Sequence, residues 1–245
     1  MPEFKVSIAG IPIGITAIYP KTKDFFKQYI SNEPSIINVD VAREDIEFEQ
    51  TCSALQDEKD GIAARNFDEC YLEILSILRK LSNLILDYNA LLFHGSVVAL
   101  NGRAYLFAAP SGTGKTTHTN LWLKLFPQAY VLNGDKPFLR IVNGKVLACG
   151  TPWQGKEHFG RNEILPLEAI CFLQQDTKNS IIPINLNQAL ELILKQVYMP
   201  EKADDVLKVL RLCEKIGTAV RLYKLKCNTD PSAAEVSSRV ILYQE

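Results

Sequence analysis

Apolar and polar positions change their spacing along the chain, and each change predicts an element. Near the N-terminus the apolar residues fall in short β-branched runs punctuated by Gly10 and Pro12, which predicts strands over residues 4–9 and 11–18. Residues 36–41 and 46–48 read as two more strands, and the polar stretch 51–59 as a turn or exposed connection. From Asp68 the period lengthens. Tyr71, Leu72, Leu75, Leu78, Leu81, Leu84, Ile85 and Tyr88 recur at three- and four-residue steps, so a long amphipathic helix is expected to end near Asn89. The change of period places a border between a small α+β region, residues 1–66, and a main domain, residues 67–245.

Two hairpins follow. Residues 95–100 and 103–108 flank Asn101-Gly102, and residues 138–142 and 145–149 flank Asn143-Gly144. Asn-Gly suits a two-residue turn because both central residues tolerate positive φ. Between the hairpins lie a Gly-rich loop, a helix over residues 114–126 and a short strand over 130–133. Beyond them, 169–173 and 222–225 read as strands and 190–197, 206–216 and 232–242 as helices, the last started by Asp230-Pro231.

Composition narrows the class. With 245 residues, 47% of them hydrophobic, the chain can bury a substantial core. A formal net charge of -1 gives no bulk attraction to nucleic acid or an anionic membrane, and no apolar run spans a bilayer. The N-terminal stretch has an early Glu3 and a Gly/Pro-broken apolar segment, unlike a secretory signal, so a cytoplasmic location is expected by default. The six cysteines are scattered without a Cys-x-x-Cys pair, which argues against a metal cage or a disulfide scaffold.

The strongest chemical signal is residues 105–117, where an apolar strand enters a loop and the loop enters a helix. Gly112 and Gly114 let the backbone approach an anion, and the amides from Ser111 through Thr113 to Thr117 can turn toward phosphate oxygens. Lys115 supplies charge at the β- and γ-phosphates, and Thr116 a hydroxyl for magnesium. The usual pattern starts with Gly six positions before the lysine; here Ala109 stands there, next to a stiffening Pro110.

Three further places carry candidate chemistry. Asp135 follows the strand after the loop helix, where it could hold magnesium, accept the proton of an attacking hydroxyl, or only cap a turn. In the charged loop 150–163, Lys156 and Arg161 could stabilise a transferring phosphoryl group, and Glu157 could complete a metal shell or orient a basic residue; each also reads as an ordinary loop charge. His94, just before the first hairpin, reads equally as a catalyst or as a hydrogen-bonded core residue.

The segments Phe93-His94-Gly95-Ser96, residues 109–116, Asn133-Gly134-Asp135-Lys136-Pro137 and residues 150–157 resemble the HPr serine kinase/phosphorylase family and its relative, ATP-dependent phosphoenolpyruvate carboxykinase. The resemblance is good over residues 91–173 and vague elsewhere. It implies an α/β fold: a carboxykinase-like P-loop core with a mixed sheet and hairpins, behind the N-terminal α+β region. It also implies ATP and Mg2+ as cofactors and transfer of the γ-phosphate to a hydroxyl, on a protein or peptide serine or on a small molecule. Homo-oligomers are common in that family. His94, Asp135, Glu157 and Arg161 look like its catalytic positions. One departure stands out: the family has Asp-Asp where this chain has Gly134-Asp135. The expected function is therefore an ATP-dependent kinase, with a nucleotide-binding accessory protein bearing a degraded site as the alternative.

Overall fold

The computed structural model describes residues 1–243. They form two compact units, one over residues 1–85 and one from residue 86 onward, each with its own sheet.

In the first unit β1 (Glu3–Ile8) and β2 (Ile11–Thr16) form a hairpin through Ala9 and Gly10, both at positive φ. A short helix α1 (Pro20–Phe25) leads to β3 (Ile37–Asp40), which joins β2 in parallel. Two helices follow, α2 (Arg43–Lys59) and α3 (Glu69–Leu84). Alternate residues of β1 and β2 are buried, as a sheet with one covered face requires. The start of α3 is capped by the Asp68 carboxylate, which accepts the amides of Cys70 and Tyr71. Its fully buried Glu73 accepts the amides of Ile18 and Tyr19 and the Thr22 hydroxyl, so a carboxylate on α3 anchors the segment that enters α1.

Residues 46–48, expected as a strand, and 51–59, expected as a turn, are one helix, α2. Only Ile46 and Asp57 of it are buried, so the chain shows no apolar stripe there. Charge holds it instead: Arg79 reaches Asp45 and Glu49, Lys80 reaches Asp45, and Asp57 takes a bidentate Arg65. The border read at 66/67 from the change of period precedes α3, whereas the compact units divide after Ile85, because α3 packs on α2, α1 and β3.

The second unit contains β4 (Ala90–Leu92), β5 (Ser96–Leu100), β6 (Arg103–Ala108), α4 (Lys115–Leu125), β7 (Tyr130–Asn133), β8 (Phe138–Val142), β9 (Lys145–Cys149), β10 (Ile164–Gln175), β11 (Ser180–Pro183), α5 (Leu186–Leu194), α6 (Ala203–Ala219), β12 (Arg221–Cys227) and α7 (Ser232–Tyr243). Long β10 organises it. Its first residues pair antiparallel with β9, and the rest runs parallel between β6 and β12. The sheet is mixed, with β5 antiparallel to both β6 and β7. Both Asn-Gly turns are present, with Asn101, Gly102, Asn143 and Gly144 all at positive φ.

Strand residues alternate between two cores. Val97, Leu106, Ile170 and Phe172 pack with Val209, Leu212 and Ile216 of α6 on one face, and Phe107, Cys171 and Tyr223 pack with Trp122 of α4 and Ala233 of α7 on the other. This α/β layering buries the central strands on both faces, which is why they read as continuous apolar runs. No helix among the described residues is long and apolar enough to cross a membrane.

Candidate functional site

The end of β6 and the start of α4 are joined by residues 109–114. Gly112 has φ of 77° and Gly114 of 109°, and an added Cβ at either would meet nothing within 4 Å. The glycines therefore serve the backbone conformation, and the space beside them is open. Ala109 is not among the residues at positive φ, so its Cβ costs nothing there. α4 begins at Lys115 with Gly114 as its cap and no side-chain capping bond, which leaves the first amides of the helix aimed outward.

Lys115 Nζ donates to the carbonyls of Ala109 at 2.7 Å and Pro110 at 3.3 Å, folding back on the loop. Burial lowers its pKa below the ordinary lysine value; the Asp135 carboxylate opposes that shift and the Lys136 ammonium adds to it. Lys115 and the Asp135-Lys136 turn, about 20 residues apart in the chain, thus border one cavity of about 700 Å³.

The cavity is bordered by Ser111, Gly112, Gly114, Lys115, Thr116 and Thr117 of the loop and helix, and by His94, Asp135, Lys156 and Glu157. Two candidates lie outside its lining. Thr113 uses its carbonyl to accept Gln175 Nε2 at 3.3 Å. Arg161 lays its guanidinium over the Tyr130 ring, 3.8 Å from the centroid, and approaches Glu163 at 3.7 Å. It borders a neighbouring shallower groove with Leu123 and Phe159.

Asp135 is the electrostatic centre. His94 Nε2 stands 3.3 Å from its Oδ1, and Lys136 Nζ 2.6 Å from its Oδ2. Burial works to raise the carboxyl pKa, yet the His94 hydrogen bond and the Lys136 ammonium outweigh it and hold the group well below the usual carboxylate range. The turn carrying it is buttressed from below. Fully buried Asn133 accepts the amides of Asp135 and Lys136 on Oδ1 and donates from Nδ2 to Thr151, whose hydroxyl donates to the Lys136 carbonyl. Asn133, Thr151 and Lys136 were not among the expected site residues. The Asn-Gly-Asp run is the local signal that an Asx turn could have supplied.

The loop 150–163 closes over this turn. Gly134 donates to Phe159 O at 3.0 Å, Lys136 to Trp153 O at 3.2 Å, and Arg161 to Leu132 O at 3.0 Å. Contact is so close that a Cβ on Gly134 would stand 2.7 Å from the Gln154 carbonyl oxygen. Backbone therefore fills the space that a side chain at position 134 would need. Across the cavity, Thr119 Oγ1 donates to Ser96 Oγ at 3.0 Å and ties α4 to β5.

No known family model and no curated protein matches this chain. Among solved structures, the chain is similar to the Hpr(Ser) kinase/phosphatase from Coxiella burnetii, at 12% identity and a TM-score of 0.36, over 61% of this chain and 93% of that one. That is a distant structural relationship within mixed α/β architecture.

Proposed function

We propose that the second unit is an ATP- and magnesium-dependent kinase that transfers the γ-phosphate to a hydroxyl. The observation that carries this reading is the meeting of the α4 amides, Lys115 and the His94–Asp135–Lys136 cluster around one cavity. A polyphosphate fits the open backbone beside Gly112 and Gly114. Thr116, Asp135 and Glu157 border the same space, and no three His, Cys, Asp or Glu among the described residues stand close enough together to hold a metal ion by themselves. A metal there would be completed by phosphate oxygens and water, which is how magnesium is commonly held. Bound magnesium supplies neutralisation of phosphate charge.

In this reading Lys115 leaves the Ala109 carbonyl for the phosphates, and Lys156 stands at the cavity edge to offset charge that develops in transfer. Asp135, held ionised, is a weak proton acceptor. It orients His94 and faces the metal. With the hydrogen on His94 Nε2 shared with Asp135, Nδ1 keeps its lone pair and takes the proton of the acceptor hydroxyl. The hydroxyl oxygen bonds the γ-phosphorus as the bond to the β–γ bridging oxygen breaks, and ADP departs.

One observation favours a second reading, a nucleotide-binding accessory protein: the Gln154 carbonyl occupies the place of a second acid. Labelled ATP incubated with cell extract separates the two. The kinase reading expects label on one species, lost with Lys115→Ala and with Asp135→Asn. Nucleotide binding without any transfer would favour the accessory reading, and transfer unchanged in both variants would remove the site from consideration.

A further inference from the structure

Residues 196–198 run against the strand that delivers His94. Phe93 and Val197 form an antiparallel bridge, and Tyr198 donates to Leu92 O at 3.1 Å. Gln196 sits where this ribbon meets the phosphate loop. Its carbonyl accepts the His94 amide at 2.6 Å. Its side chain is buried, 6% exposed, and faces two more carbonyls. With the amide nitrogen turned to them, it donates to His94 O at 3.1 Å and to Ala109 O at 3.3 Å; the opposite orientation would set oxygen against oxygen. The Ala109 carbonyl is the one that Lys115 Nζ holds at 2.7 Å.

We infer that Gln196 is a positioning residue that joins the His94 segment to the phosphate loop and keeps the Ala109 carbonyl satisfied when Lys115 swings to a polyphosphate. Ala109 is 3% exposed, and a buried carbonyl abandoned by its donor is costly. If Lys115 were its one donor, reaching a ligand would orphan that oxygen at the moment of binding. A second donor from Gln196 removes the penalty, and the same amide fixes the distance between the loop and the imidazole. Gln196 touches neither phosphate nor acceptor in this scheme. It acts through Ala109 and His94.

The consequence for ligands rests on the nucleotide reading, so two measurements keep the failures apart. The first needs no ligand. Thermal unfolding of Lys115→Met, Gln196→Met and the double variant forms a cycle. Either single variant leaves Ala109 O one donor, and the double leaves it none, so the double should lose more in Tm than the sum of the singles. Additive losses would overturn the shared carbonyl whatever the protein binds. The second is calorimetry with Mg-ATP. Gln196→Met should weaken binding about tenfold while remaining folded, and Gln196→Glu, whose carboxyl regains one donor when protonated, should recover affinity on acidification. Wild-type affinity in folded Gln196→Met would overturn the positioning role. Absence of binding by the wild type would instead strike the nucleotide reading, leaving the unfolding cycle to decide whether Gln196 shares the carbonyl.

Discussion

His94 Nε2 lies 3.3 Å from Asp135 Oδ1, an imidazole and a carboxylate brought together from positions 41 residues apart in the chain. In the proposed reading the pair divides the labour, the carboxylate held ionised to orient the ring and the imidazole taking the proton of the acceptor hydroxyl. His94→Ala should therefore lower phosphotransfer at least about a hundredfold while changing Mg-ATP affinity little. Single-turnover assays beside equilibrium binding check this. Equal losses in both quantities would assign His94 to ligand binding.

Asp135 carries a pH signature. Its folded pKa lies below its unfolded value, so its stabilising contribution is complete above the unfolded value of about 4 and is lost as pH falls toward the folded one. Urea unfolding of Asp135→Asn against the wild type should show a deficit that is constant from about pH 7 to 5 and shrinks below about 4. A deficit that grows on acidification would contradict the ionised, paired carboxylate.

Gly134 tests the packing of the loop on the turn. A Cβ there would stand 2.7 Å from Gln154 O, a backbone atom with little freedom to yield. Gly134→Ala should cost about 1–3 kcal/mol. Gly134→Asp should lower transfer too, because the added acid displaces the loop that carries Lys156. A gain in rate from Gly134→Asp would mean that the missing second carboxylate limits this site.

His118 lies on α4 behind the Gly-rich loop, 2% exposed, with Nε2 3.2 Å from Ser237 Oγ. Burial lowers its pKa to about 4, so the unfolded chain takes up a proton first as pH falls. Stability should decline between about pH 6.5 and 4, by up to roughly 3 kcal/mol from this group. His118→Gln should flatten that slope in urea unfolding across the range. An unchanged slope would place the acid sensitivity elsewhere.

Features written locally were legible in the sequence. The Asn-Gly turns at Asn101 and Asn143 follow from two adjacent residues that accept positive φ, and the loop around Lys115 follows from glycines between an apolar strand and a helix. Features written across the chain were not. α2 lacks an apolar stripe and is held by Arg79 and Lys80, some 30 residues away, so its period was invisible. The helix read at 190–197 runs over Leu186–Leu194, because Asn185 and Gln188 cap each other at its start. That shift frees Gln196 from the helix. Spacing likewise could not tell that Lys156 reaches the cavity while Arg161, five residues on, stacks on Tyr130.

Isothermal titration of Mg-ATP into the folded wild type, with Lys115→Ala beside it, bears most directly on the site. Saturable binding to the wild type and loss of at least about tenfold in affinity in the variant are expected. No heat of binding to well-folded wild type, or equal affinity in the variant, would contradict a phosphate site between Ser111 and Thr117.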